Sequence, residues 1–367
     1  MNKIILLLLF VFLLGCKTKD DVAATQFLEI HVINVQQGDA TLIIGPDGTT
    51  LLVDGGDTGK GKKDVVDYLK GLGIEKSIDH MVNTHRHADH LGGLDEVINA
   101  GFDVRKGIWA NGSDSVDTDA NRDFLAAAMS TTAGSVKTIS PGQIIGLGGG
   151  AKATVVAASG NILGTTTPFT LTDEDENDKS VALLIQYGRF DYIMSGDLGG
   201  GADDTVCTGR TTKQKNMESI LVKALTEGVK PLLTSTGVDA MMVPHHGSES
   251  STNQDYMNGM SPRVAIISVG DGQGSLFHHP RKDIVNVLTK KVACITAEPS
   301  LVLQTDEGEG DPMVTDTSQE GFVSGDVVIK TNGVSTFQVS GSGRVREGSP
   351  DERVSAGINP PRSFPLD

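Results

Sequence analysis

The chain has 367 residues, 31 Lys and Arg against 47 Asp and Glu, and a formal net charge of −16. That balance excludes a protein that grips nucleic acid or anionic lipid through its whole surface. A content of 38% hydrophobic and 21% charged residues excludes disorder and collagen-like repeats, and the length fits one large layered domain as well as two ordinary ones.

Lys3 is followed by an apolar run over residues 4–14. It is too short for the roughly 20 residues of a membrane-spanning helix and suits the h-region of an export signal. The run ends in Leu13, Leu14, Gly15 and Cys16, which resembles the lipobox of bacterial lipoproteins. Residues 1–16 therefore read as a lipoprotein signal with Cys16 lipidated, and 17–26 as a polar tether. The expected location is outside the cytoplasm, anchored to a bacterial membrane through that lipid; an ordinary secretory signal cut near Gly15 is the alternative. Of the other cysteines, Cys207 lies in a Gly/Thr-rich loop and Cys294 in an apolar run. Cys294 reads as a small core residue, and spacing alone does not decide whether the two pair.

Strands are expected at 27–35, 40–44 and 50–53, the last two joined by the turn types Pro46, Asp47 and Gly48. A helix follows at 62–70 with Val65, Val66, Leu69 and Leu72 on one face, then a strand at 78–83. A second half alternates again. It has strands at 181–186, 190–194, 239–243 and 264–268, a helix opened by Pro280 at its first position, and an apolar strand at 292–295. The spacing predicts a helix over 213–228, inside an insertion at about 199–237. Strands at 327–331 and 335–339 flank Asn332 and Gly333, a hairpin signal. Residues 27–340 thus form the expected domain, and 341–367, rich in Gly, Ser, Arg and Pro, a flexible tail. The acidic run Asp173, Glu174, Asp175, Glu176 and Asp178 reads as a solvated loop.

Seven of the 9 histidines fall in three clusters: His85, His87 and His90; His245 and His246; His278 and His279. At the C-terminal ends of strands in a layered α/β fold, such clusters meet on one edge, where cofactors bind. In His85-Arg86-His87-Ala88-Asp89-His90, alternate residues of an extended loop share a face. His85 and His87 can then hold one ion, and a turn into a helix presents Asp89 and His90 to a neighbouring ion. Chance would give this pattern on the order of once in a thousand such chains. Ser195-Gly196-Asp197 offers a carboxylate to bridge the two ions. His246 is assigned to metal and His245 to substrate. His279, just before a helix start, suits substrate contact or proton donation; His278 reads as a solvent-facing loop residue.

Further motifs extend this set: Val35-Gln36-Gln37-Gly38-Asp39-Ala40, Leu52-Val53-Asp54-Gly55-Gly56, Pro244-His245-His246-Gly247-Ser248, and Ser268-Val269-Gly270 with His279-Pro280. In this order they resemble the metallo-β-lactamase superfamily, and within it the soluble domain of ComEC-type competence proteins. The resemblance implies an α/β fold, the αββα sandwich, with two divalent metal ions, zinc or manganese. It also implies ester hydrolysis, often of a phosphodiester. Asp39 and Asp54 would orient the histidine ligands by hydrogen bonds. Most members of the superfamily place a further histidine before the bridging aspartate, and no histidine occurs between residues 91 and 196 here. ComEC-type members have an Asn/Ser-containing segment there, matched by Asn177 and Ser180, which leaves His85, His87, Asp197 and water at the first metal.

The expected activity is a metal-dependent phosphodiesterase or nuclease-like hydrolase using a hydroxide held between the ions, with Asp89, His245 and His279 in the catalytic machinery and Ser248 on the substrate. The acidic run beside the expected site would repel a polyanion, so the substrate is either nucleic acid or a small diester. Hydrolysis of a carboxylic ester, thioester or lactam is an alternative, as is a non-catalytic lipid-anchored binding module.

Overall fold

Strands β1 (Leu28–Val32), β2 (Thr41–Ile44) and β3 (Thr50–Val53) are buried on both faces at nearly every position. Strands β2 and β3 accordingly read as apolar runs, the mark of a sheet covered on both sides, whereas β1 alternates Leu28, Ile30 and Val32 with Glu29 and His31. The computed structural model describes residues 26–112, 118–172, 175–202, 212–227, 231–233, 235–270, 272–273, 277–309, 321–343 and 357–367.

After β3 the chain makes a π-helical turn (Gly61–Val65), helix α1 (Val66–Gly71) and β4 (Ser77–Val82). Two short helices, α2 (Ala88–Leu91) and α3 (Leu94–Asn99), lead into β5 (Asp103–Ala110), α4 (Asp119–Ala128) and β6 (Val136–Thr138). The chain then crosses to a second sheet through β7 (Ile144–Gly148), β8 (Ala151–Ala158), β9 (Asn161–Ile162), β10 (Ala182–Tyr187) and β11 (Phe190–Met194). Helix α5 (Glu218–Thr226) precedes β12 (Ala240–Met242), α6 (Gln254–Met260), β13 (Val264–Ile267), α7 (Lys282–Leu288), β14 (Leu301–Gln304) and β15 (Gly321–Val323). Strands β16 (Val327–Thr331), β17 (Thr336–Gly341) and β18 (Ile358–Pro365) return to the first sheet.

The first sheet has the order β18-β17-β16-β1-β2-β3-β4-β5-β6, and the second β15-β14-β13-β12-β11-β10-β8-β7, with β9 on β8. Val53, Val82 and Ile329 of the first meet Leu183, Tyr192 and Met242 of the second in the central core. On the outer face of the first sheet, Leu52, Met81 and Ile108 lie under Val65, Leu69, Leu94 and Phe124. On the outer face of the second, Ile193, Met241 and Ile267 lie under Leu221, Met257 and Ile284. Helices, sheet, sheet and helices make four layers, an αββα sandwich. Burial of this apolar surface, at roughly 25 cal/mol per Å², is the main stabilising contribution.

Several expectations are corrected. Residues 292–295 form a turn and not a strand, and the strand partner of β13 is β14, which begins at Leu301. Pro280 does not open a helix: α7 starts at Lys282 with Arg281 as its N-cap. Leu72 is 43% exposed and leaves the α1 face. The end of the supposed tail is strand β18, paired with β17 from Thr336↔Pro365 to Gly341↔Ile358. Cys294 packs against the core under the second sheet and is disulfide-bonded. Cys16 and Cys207 lie outside the described residues.

The acidic run is not a solvated loop throughout. Glu176 accepts hydrogen bonds from Arg86 N (3.0 Å) and Asn111 Nδ2 (3.2 Å) and pairs with Lys179 at 3.3 Å. Asp178 is fully buried and accepts from Lys215 N at 2.8 Å. Burial pushes its carboxyl up to about 6, more than that bond offsets. The unfolded chain releases this proton near pH 4 and the folded chain near pH 6. The folded state therefore holds more protons in that window, and its stability falls as pH rises from about 4 to about 6, by about 2 kcal/mol. Asp178→Asn is expected to remove this loss, so urea unfolding from pH 4 to 7 should show the variant gaining on the wild type as pH rises. A difference that does not change with pH would refute the assignment.

Candidate metal centre

Four loops leave the C-terminal ends of strands and meet at one edge of the sandwich. After β4, His87 is extended (φ −72°, ψ 150°) and α2 begins at Ala88. The segment Arg86-His87 therefore lies along the cleft, while Asp89 and His90 sit on the helical turn. After β11 comes Gly196 with φ 51°, then Asp197. After β12 comes the turn Pro244–Gly247, in which His245 and His246 both adopt left-handed backbone, each with φ 54°. Such conformations are costly for residues with a Cβ and persist where the surroundings hold them.

Hydrogen bonds on the far side of three histidines fix which ring nitrogen faces inward. Asp54, fully buried, accepts from His90 Nδ1 at 3.0 Å and from Thr84 Oγ1 at 2.6 Å. With its proton given to Asp54, the Thr84 hydroxyl accepts from His85 Nδ1 at 3.2 Å. His246 Nδ1 donates to the Ser268 carbonyl at 2.8 Å. All three rings therefore turn an Nε2 lone pair inward, towards Asp197. Asp39 faces the outer nitrogens, 3.4 Å from His246 Nδ1 and 3.9 Å from His90 Nδ1. It thus supports these rings from behind.

The inward nitrogens crowd one another. His90 Nε2 and His246 Nε2 are 3.2 Å apart. Asp197 Oδ1, which has no hydrogen-bond partner, stands 3.2 Å from the first and 3.6 Å from the second. Asp89 Oδ2 is 3.3 Å from His246 Nε2 and 4.0 Å from His90 Nε2. Four donors bound tetrahedrally to one ion at about 2.0–2.1 Å stand about 3.3–3.4 Å from each other. Asp89, His90, Asp197 and His246 therefore fit a divalent cation, and lone pairs facing each other at this distance require positive charge between them. The electrostatics agree. Burial disfavours charge on His90 and His246, yet Asp197 and the other carboxylates drive both imidazoles well above their ordinary range. Burial likewise opposes the Asp197 carboxylate, and the rings of His245, His90, His246 and His85 together hold it well below the usual carboxylate range.

A second group lies beside the first. His85 Nε2 is 3.1 Å from His87 Nδ1 and 3.6 Å from Asp197 Oδ2, and His85, His90 and Asp197 together offer donor atoms within 4.8 Å of one another. Asp197 thus turns one oxygen to each group, and its backbone N–H donates to Ser180 Oγ at 3.1 Å.

The remaining expected residues divide. Asn177 Nδ2 is 3.3 Å from His245 Nε2. His279 is buried with Nδ1 unpartnered, its ring 5.5 Å from that of His245. Burial, and then the neighbouring imidazoles of His245 and His246, push it down to about 3. A buried ring with an unpartnered nitrogen at the cleft suits contact with substrate. Ser248 is buried, with its Oγ 3.0 Å from Ser250 Oγ, the hydroxyl behind His245. His278 is exposed, with Nδ1 3.4 Å from the Glu309 carbonyl. Sequence reading missed Gln37, whose Nε2 donates to Asp89 Oδ2 at 3.3 Å, and Gln273 and Phe277, which line the cleft. A glutamine beside the motif glycine was the one available signal. The cleft has a volume of about 340 Å³ and is also lined by Asp57, His87, Asp89, Asn177, Asp197, His245, His246 and His279.

Residues 33–162 match the model of the metallo-beta-lactamase superfamily. Over those residues the chain is similar to that superfamily. ComE operon protein 3 of Bacillus subtilis (strain 168) is 22% identical over 282 residues, covering 71% of this chain. The aligned stretch is 30% of that longer relative. Among solved structures, the metallo-beta-lactamase fold protein YhfI from Bacillus subtilis shares 13% identity, with 77% of this chain and 98% of that one covered and a TM-score of 0.42. A diphosphatase from the PhnP family shares 15%, with 66% and 85% covered and a TM-score of 0.37. The chain is thus similar to that superfamily over residues 33–162 and, among the described residues, brings together histidine and aspartate groups that could hold a metal ion.

Proposed function

We propose that the protein hydrolyses small phosphodiesters with two divalent cations, zinc or manganese. The observation that supports this reading is the split of Asp197, with Oδ1 on His90 and His246 and Oδ2 on His85 and His245. A carboxylate placed between two donor groups holds two cations a few Å apart. When bound, such a pair acidifies water and neutralises charge on attacking and leaving oxygens, which suits in-line displacement at phosphorus. The chain's own part is to place the ester. The neutral ring of His279 and the Asn177 amide border the cleft, and Phe277, 55% exposed, offers an apolar wall for the alcohol portion.

Small size is favoured over a long polyanion by the cleft's charge. Among the described residues that line it there is no Lys or Arg, and Asp57 adds a carboxylate. Nucleic-acid grip rests on cation contacts and weakens by about 10³-fold or more between 50 and 200 mM salt.

The test is a substrate panel of bis(p-nitrophenyl) phosphate, long DNA, a thioester and a lactam, with and without chelator. The expected result is hydrolysis of the small diester, abolished by chelator and changed less than about twofold by that rise in salt. Turnover of thioester or lactam with an inert diester would overturn the choice of bond. Degradation of long DNA with a steep salt dependence would overturn the choice of size.

A further inference from the structure

We propose that His245 is a ligand of the cation beside His85, His87 and Asp197 Oδ2, in the position for which residues 91–196 supply no histidine. The inference rests on the metal-centre reading above and adds a residue to it. Its ring nitrogen Nε2 lies 3.4 Å from Asp197 Oδ2. The same oxygen is 3.6 Å from His85 Nε2, which in turn is 3.1 Å from His87 Nδ1. Each pair is at the spacing of neighbouring donors on a tetrahedral ion, and Asp197 Oδ2 is the atom that His85 and His245 share.

The backbone gives a second, independent argument. His245 and His246 are consecutive residues with φ of 54°, and their rings stand 6.2 Å apart at 71° to one another. Two adjacent left-handed residues with side chains are rare and strained. The turn they make directs one ring to each oxygen of Asp197, His246 to Oδ1 and His245 to Oδ2. Behind the ring, Ser250 Oγ lies 2.8 Å from His245 Nδ1 and can accept its proton, which leaves Nε2 as a lone pair. That is the outer hydrogen bond that metal-binding imidazoles make. The histidine missing from the middle of the chain is thus replaced from the loop after β12, so that one His-His pair serves both ions.

The experiment is an equilibrium titration of the metal-free full chain with Co(II) alone, read by bound ions per chain and by visible absorption, which is intense for four-coordinate cobalt. His245→Asn is the main variant, since Asn accepts left-handed backbone, and His245→Gln is the second. Loss of an outer hydrogen-bond partner weakens metal binding by about 10–100-fold, so loss of a direct ligand is expected to weaken one ion by at least about 100-fold. The wild type is expected to bind two ions; each variant is expected to bind one as tightly as the wild type and the other at least about 100-fold more weakly, with lower absorption from that ion. Two ions bound with unchanged affinity in both variants overturn this proposal alone. A wild-type chain that takes up fewer than two ions overturns the metal-centre reading, and this proposal falls with it.

Discussion

Asp197→Asn is expected to abolish uptake of both cations and to lower kcat/KM by at least about 10³-fold. The reasoning starts from the side chain's two oxygens. Oδ1 is buried without a hydrogen-bond partner between His90 and His246, and Oδ2 faces His85 and His245. An amide has the same shape but only one oxygen and no charge, so it cannot serve two donor groups. Paired cations contribute several kcal/mol to stabilisation of charge in the transition state, and each 1.36 kcal/mol is tenfold in rate. The same loss is visible without any substrate. A ligand that binds only the folded state at 100 times its Kd adds about 2.7 kcal/mol of stability. The wild-type Tm is therefore expected to rise with added zinc or manganese, and the variant's to stay flat. Calorimetry with elemental analysis checks both, and a variant that still loads two ions sinks the assignment.

The site was legible in the sequence where its chemistry is written in consecutive residues. The alternation of His85 and His87 followed by Asp89 and His90 could be placed on an extended segment turning into a helix, because each period has its own face. Adjacent residues defeated the same logic. Nothing in the pair His245-His246 tells that both take left-handed backbone and split between the two oxygens of Asp197, since φ is set by the packed loop and not by the residue type. The first sheet's opening strands were readable because β1 alternates apolar and polar residues and β2 and β3 are apolar runs covered on both faces. Strand β5 was not, because Arg105 and Lys106 interrupt its pattern. Both reach the buried Asp79 carboxylate, at 3.1 and 3.2 Å, beside a register shift in the β4–β5 pairing. Helix α4 was hidden in a similar way, with Phe124, Ala127 and Ala128 buried but Leu125 and Met129 exposed, so no single apolar stripe marks it. Glu176 and Asp178 were misread for the opposite reason: composition suggests solvent, whereas backbone N–H groups and a lysine hold them inside.

Gly38→Ala is expected to destabilise the fold by about 2–6 kcal/mol and to weaken the ion held by Asp89. Gly38 has a φ of +119°, a conformation that residues with a Cβ rarely adopt. A Cβ built there would lie 2.2 Å from the Asp89 carbonyl oxygen and 3.1 Å from its carbonyl carbon, both backbone atoms with no rotamer to escape into. Strain of about 1–3 kcal/mol adds to overpacking of about 1–3 kcal/mol. Relief must move the segment that carries Asp89, because Asp39 N donates to that same carbonyl at 3.1 Å and Ser268 Oγ donates to the Gly38 carbonyl at 2.7 Å. The loop after β1 is thus pinned to the metal-binding loop on one side and to the loop after β13 on the other. The glycine in the motif before Asp39 is there for this close approach, not for flexibility. Urea unfolding of the metal-free chain reads the first effect and a cobalt titration the second. A Gly38→Ala chain with wild-type stability and two tightly held ions would show that the contact is not needed.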